Sequence, residues 1–215
     1  LRMSRGLGDV YKRQILSRLS YILEELSLCQ QAGGDGYLLP TICGRAIFEN
    51  VLDGNFKTSN PFIETPYDKC WEPVYVMNKI MLGLYQVYMR CDLLQAKEIL
   101  VKMADWFGYS VIDKLSHDDL QKLLVCEHGS INESFIDVYQ ITGEEKYLKW
   151  AQRLNDEDMW VPMSEGKDIL EGWHANTQIP KFTGFESVYR YDSNERFTTA
   201  ARFFWDTVVL SLIHI

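Results

Sequence analysis

Leu84-Tyr85-Gln86-Val87-Tyr88, Phe135-Ile136-Asp137-Val138-Tyr139 and Phe185-Glu186-Ser187-Val188-Tyr189 are three copies of one pattern. Each is followed by a short polar turn and then by a second apolar-periodic stretch carrying an alanine: Ala96, Ala151 or Ala200. The Val-Tyr pairs recur at spacings of 51 and 50 residues. The unit reads as helix, tight turn, helix. One such hairpin cannot bury both of its faces, so copies must stack. They can stack as an open solenoid or close into a ring, and a ring of six would need roughly 300 residues at this period. The segments Cys126–Ser130 and Asn155–Lys181 are rich in Gly, His, Asn, Trp and acidic residues. Solenoids spend little on such connections, whereas toroids line a central pocket with them. The expected fold is therefore all-α, a partial (α/α)6 toroid holding about four hairpins.

Outward from the repeats, Ile15, Leu19, Ile22, Leu23 and Leu26 fall at helical spacing, and Gly33-Gly34-Asp35-Gly36 breaks that helix. A weaker helix is expected over Arg45–Leu52, and a loop around Pro61 and Pro66. Pro73 suits the first turn of a long helix to about Arg90. Leu94–Leu115 is another helix, and Ser116 caps a short one ending near Val125. Further helices are expected at Ile131–Ile141, Glu144–Leu154, Phe182–Tyr191 and Asn194–Val208. An incomplete ring would leave Leu94–Leu115 and Asn194–Val208 without neighbours. Leu1–Gln14 and Ser211–Ile215 do not continue the pattern beside them. Both read as translated sequencing-adapter sequence. The expected domain is 15–210, with 1–14, 211–215 and His214 foreign to it.

A net charge of −8 over 215 residues offers no basic stripe to neutralise phosphates, which argues against a nucleic-acid partner. Hydrophobic residues at 47% supply a core, and no apolar run is long enough for a membrane span. Six Trp and twelve Tyr are rich for a helical chain; most serve as core, and flat rings also cover sugar faces. The five cysteines are dispersed and suggest neither a disulfide framework nor a metal site.

Three constellations stand out. In Glu127-His128-Gly129-Ser130-Ile131-Asn132-Glu133, Ser130 and Glu133 match a capping box, which leaves His128 and Asn132 unexplained. Thr142 with Glu145 and Thr183 with Glu186 match the same box. Gly172-Trp173-His174-Ala175-Asn176-Thr177-Gln178-Ile179-Pro180 reads as a polar loop ahead of a helix, with neutral donors and acceptors suited to hydroxyl groups. In Trp71-Glu72-Pro73-Val74-Tyr75-Val76-Met77-Asn78-Lys79, Asn78 on an apolar helix is either a satisfied buried amide or a ligand-facing group.

The strings WEPVYVMNKIMLGLYQVY, CEHGSINESFIDVYQITGEEKYL, PMSEG and HANTQIPKFTG, in that order, resemble glycoside hydrolase families 127 and 146, the β-L-arabinofuranosidases and their relatives. The resemblance implies an (α/α)6 barrel followed by β-sandwich domains. It implies retaining hydrolysis of terminal β-L-arabinofuranosides by a zinc-bound cysteine nucleophile and a glutamate acid/base. The implied zinc ligands, one glutamate and three cysteines, fall later than Val208, so no catalytic or metal residue is expected here. His128 and His174 match histidines lining the sugar subsite. Asn78 stands where many relatives carry histidine, and Gly129-Ser130-Ile131 replaces the commoner Gly-Gly-Met. The expected substrate-binding set is His128, His174, Asn176, Gln178, Asn78 and Trp71, with carbohydrate as the partner. His128 and His174 lie 46 residues apart, near one repeat, and are expected to converge at one end of the ring. A helical scaffold, a sugar-binding module, or another toroidal sugar enzyme such as an epimerase or unsaturated glucuronyl hydrolase would share much of this pattern.

Overall fold

The computed structural model describes residues 2–40, 43–56 and 72–213. The expected loop at Pro61 and Pro66, as well as Trp71 and His214, lies outside them. The described residues form ten α-helices and one short 3-10 turn, with no strand among them. They are α1 (Arg2–Gly33), α2 (Gly44–Leu52), α3 (Pro73–Cys91), α4 (Leu94–Ser110), α5 (His117–Leu124), α6 (Ile131–Thr142), α7 (Glu145–Arg153), α8 (Glu157–Ser164), α9 (Ala175–Asp192) and α10 (Glu195–Ile213).

The repeat is a repeat of hairpin turns. The carbonyls of Tyr88, Tyr139 and Tyr189 accept the N–H groups of Asp92, Gly143 and Ser193 at 2.9, 2.8 and 3.0 Å. These three capping residues adopt the left-handed conformation, with φ of 56°, 73° and 58°. That conformation turns the chain and satisfies a carbonyl that the helix end would otherwise orphan. The next residues, Leu93, Glu144 and Asn194, start the second helices by accepting from Ala96, Tyr147 and Phe197. The counterparts of Ala96 are therefore Tyr147 and Phe197. Ala151 and Ala200 lie further into their helices, so the alanine match is out of register, although all three alanines are fully buried.

The hairpins α3–α4, α6–α7 and α9–α10 stack in series, with α6 between α3 and α9. Their first helices run parallel. Asn78 meets Ser134 and Tyr85 meets Gln140, in the same order along α3 and α6. Across α6 and α9, the Asn132 side chain fills the space a Cβ on Gly184 would need, and the Tyr139 and Tyr191 rings meet edge-on at 5.3 Å. The arrangement is part of the wall of an α/α toroid. Between hairpins, α5 is the short helix expected after Ser116, whose side chain accepts from the Asp119 amide, and α8 fills part of the segment Asn155–Lys181 that sequence alone left irregular. α8 packs on α10, and Trp160 meets Phe197 with ring centroids 4.7 Å apart.

The core runs through Phe48, Trp106, Phe107, Phe135 and Trp150, each ring in contact with the next. Gly108 is required within it, because a Cβ there would overlap the Trp150 indole. Trp150 Nε1 donates to Asp113, and Arg153 donates to the carbonyls of Ile112 and Leu115, which ties α7 to the end of α4. The uncovered face expected for Leu94–Leu115 is not found. Ile99, Leu100, Met103, Ala104 and Phe107 are buried, and α4 packs against α1, α3, α6 and α7. On α10 Trp205 is exposed, in line with that part of the expectation. α1 runs unbroken through Gln14 and Ile15, with residues 9–14 exposed, and is anchored by Gln30, which donates to Gly36 and Ile99 carbonyls.

A residue with a Cβ in the left-handed region costs about 1 kcal/mol more than glycine. Ser193→Gly is expected to raise stability by about 0.5–1 kcal/mol, and Gly143→Ala to lower it by a similar amount. Denaturant unfolding of both variants against the parent chain measures this.

Candidate functional site

Because α3, α6 and α9 are parallel, their N-terminal ends share one end of the wall. A cleft of about 400 Å³ opens there, lined by Tyr75, Glu127, His174, Asn176, Ile179 and Pro180. All three constellations of the sequence contribute to it. Tyr75 comes from the first turn of α3, Glu127 from the α5–α6 connection, and His174 and Asn176 from the start of α9.

The second constellation is not a loop. α9 begins at Ala175, and the His174 carbonyl accepts from Thr177 and Gln178 at 3.0 and 3.2 Å. Thr183 and Glu186 lie in mid-helix and cap nothing. Pro180 sits inside α9 and has no N–H to offer the carbonyl of Asn176, one turn earlier. That acceptor therefore loses its ordinary i+4 donor beside the cleft. The His174 side chain makes no cap bond and is exposed.

The first constellation is built around Asn78. Its Nδ2 donates to Ser134 Oγ at 2.9 Å and to Ser130 Oγ at 3.5 Å, and its Oδ1 accepts from the Ser130 amide at 3.3 Å. Asn78 thus caps α6 from a neighbouring helix. The Ser130–Glu133 box does not form: Ser130 makes no side-chain cap bond, and the Glu133 amide is met by Asn132 Oδ1 at 3.1 Å. Nor does Thr142 pair with Glu145; its hydroxyl donates to the Val138 carbonyl and accepts from the Glu144 amide. Gly129, at φ 62°, is needed because a Cβ would strike the Asn78 amide.

His128 does not line the cleft. Its ring is fully buried, and neither ring nitrogen has a hydrogen-bond partner. Burial, reinforced by the nearby Lys181 ammonium, holds its pKa well below the ordinary histidine range. His174 and Asn176 therefore reach the cleft, whereas Asn78 and His128 lie inside the wall behind it. Gln178 turns elsewhere: it is 2% exposed, both of its side-chain polar atoms lack partners, and it lines a separate cavity with Trp173.

Two features escaped the sequence reading. Lys181 and Asp156 form a buried ion pair at 2.6 Å, and Lys181 also donates to the Leu124 carbonyl at 3.2 Å. Burial raises the Asp156 pKa, opposed by Lys181. Asp137, inside the second repeat, is pushed up to about 7 by burial and by Glu133 one turn away. No local motif marks the ion pair, which joins elements distant in sequence, and the burial of Asp137 is likewise set by the helices packed around α6.

Among the described residues, no three His, Cys, Asp or Glu side chains come together as a metal site. Cys29, Cys43 and Cys91 are free thiols that lie apart from one another in the chain. The described residues do not supply the glutamate and three cysteines of the zinc site that the resemblance implies.

Breaking a buried ion pair on one side costs about 3–5 kcal/mol. Lys181→Met is expected to destabilise by that order, and Lys181→Met with Asp156→Leu to recover much of it in chemical unfolding. For His128 the folded pKa lies below the unfolded value of about 6.5. The unfolded chain then binds more protons as pH falls below that value, so stability is lost there and unaffected above it. Relative to His128→Leu, the parent chain should lose up to about 1.4 kcal/mol per pH unit below pH 6.5, measured as the difference between the two pH–stability curves.

The family model described as beta-L-arabinofuranosidase, GH127 catalytic domain, matches residues 9–215. No curated protein matches the chain.

Proposed function

The chain belongs to the β-L-arabinofuranosidase GH127 catalytic-domain family, and from that premise we propose that it supplies sugar-binding wall to a retaining exo-glycosidase. The substrates are terminal β-L-arabinofuranosides or related sugars of plant glycans. The observation that carries this reading is the cleft at the shared N-terminal end of α3, α6 and α9.

Its chemistry suits a small neutral polyol. The Glu127 carboxylate accepts from hydroxyl groups. The His174 imidazole and the Asn176 side chain can each donate and accept. The Asn176 carbonyl, which Pro180 cannot engage, is a further acceptor. Tyr75 and Ile179 offer apolar surface to the ring face. Asn78 acts from behind, holding Ser130 through two bonds and Ser134 through a third. His128 has the same positioning role, as the buried flank of Glu127.

The nucleophile, the acid/base glutamate and the zinc ligands of the proposed double displacement are assigned to sequence beyond Val208. The chain itself binds, orients and shields the sugar and breaks no bond. The purified chain is therefore expected to bind methyl β-L-arabinofuranoside without releasing arabinose. His174→Ala should weaken binding about three- to tenfold, the effect of one or two lost hydrogen bonds, read by calorimetry. Arabinose release by the chain would overturn the placement of the catalytic groups. Equal affinity of the parent and His174→Ala would remove His174 from the subsite.

A further inference from the structure

α1 has two faces. One is turned to the core: Leu23 and Gln30 are buried, and Leu16, Leu19 and Leu26 are half-buried. At 3.6 residues per turn, the opposite face carries Ile15, Arg18, Tyr21, Ile22, Glu25 and Leu28, all exposed. The four apolar residues among them are each at least 50% exposed. So much apolar surface along one helix face marks an interaction surface.

The order of the six residues says what covers it. Along α1 they read apolar, basic, apolar, then apolar, acidic, apolar, at spacings of 3, 3, 1, 3 and 3 residues. The pattern is symmetric about the midpoint between Tyr21 and Ile22, except that the charge changes sign across it. A second α1 laid antiparallel over that midpoint therefore matches the first. Ile15 comes level with Leu28 of the second copy, Tyr21 with Ile22, and Arg18 with Glu25. Each pair forms twice, as a two-fold interface requires. A parallel alignment would set Arg18 against Arg18 and Glu25 against Glu25, and like charges opposed in this way are costly. On their own helix, the positions three and four residues from Arg18 and from Glu25 hold only uncharged residues, so neither has an ion-pair partner at helical spacing. The second copy supplies one to each.

We propose that α1 is a self-association surface, through which two copies of the chain pair antiparallel about the midpoint of Tyr21 and Ile22. The apolar pairs supply the attraction, and the two Arg18–Glu25 pairs fix orientation and register. Ile15 to Leu28 is about 20 Å of helix, a small interface. The dimer is accordingly expected to dissociate with a roughly micromolar constant.

Sedimentation velocity on the full chain over a range of concentrations measures this. The parent is expected to pass from monomer to dimer. Arg18→Glu and Glu25→Arg alone each place like charges in register and should weaken the dimer about tenfold or more. An equimolar mixture of the two variants restores both opposite-charge pairs and should dimerise as the parent does. So should the chain carrying both substitutions. Ile22→Glu should leave a monomer in every case. All these positions are exposed, so circular dichroism and unfolding curves should match the parent's. A parent that stays monomeric up to about 100 μM would overturn the proposal. So would a dimer indifferent to both charge variants, which would place the interface elsewhere. Loss of the dimer in both variants without recovery in the mixture would overturn the antiparallel register.

Discussion

Lys181 is the constraint on which the candidate site depends. Its ammonium is buried at 1% exposure, bonded to the Asp156 carboxylate and the Leu124 carbonyl. Those partners belong to the ends of different elements: Leu124 closes α5, Asp156 precedes α8, and Lys181 lies in the second turn of α9. A buried charge tolerates little displacement, because moving it from its partners exposes the full desolvation cost. The pair therefore sets where α9 begins relative to the connection carrying Glu127. The cleft is the space between those two.

A second set of bonds holds the opposite side. Asn78 caps α6 from α3, and Gly129 lets the backbone come close enough to be capped. Asn132 bonds Asn155 at 2.8 Å and occupies the notch left by Gly184 on α9. Amide side chains thus bond α6 to α3 and to the connection before α8, and the same Asn132 packs α6 closely on α9. Such bonds are directional, as apolar packing is not, and they fix the relative heights of helices that could otherwise slide. The wall is stiff where the site is built. Further along, the contacts are aromatic, such as Tyr139 on Tyr191.

Electrostatics divides the same region. His128 is kept neutral by burial and by Lys181, while Asp137 is pushed up to about 7. The two respond to pH in opposite senses: the folded chain loses stability from His128 as pH falls below 6.5, and from Asp137 as pH rises toward 7. Neither group reaches the cleft, where Glu127 is half-buried and His174 is exposed. The polar chemistry available to a ligand is thereby separated from the groups that titrate inside the wall.

The sequence by itself determined the hairpin and its period, because both are local. The apolar spacing, the Val-Tyr pair and the turn residue four positions after each tyrosine are written in consecutive residues. It also marked the strings that meet at the site, since polar residues clustered at helix starts are conspicuous in an otherwise apolar pattern. The roles within those strings were not legible. Ser130 and Glu133 have the spacing of a capping box, yet a side chain from 52 residues away caps the helix instead. His174-Ala175-Asn176 has the composition of a loop, yet it opens α9, because burial of Gln178, Lys181 and Phe182 against the wall outweighs the weak propensities of that stretch. Which histidine reaches the cleft, which is sealed behind it, and why Gln178 faces a different cavity depend on how three helices pack. That packing joins residues fifty or more positions apart, so it was decided only in the tertiary structure.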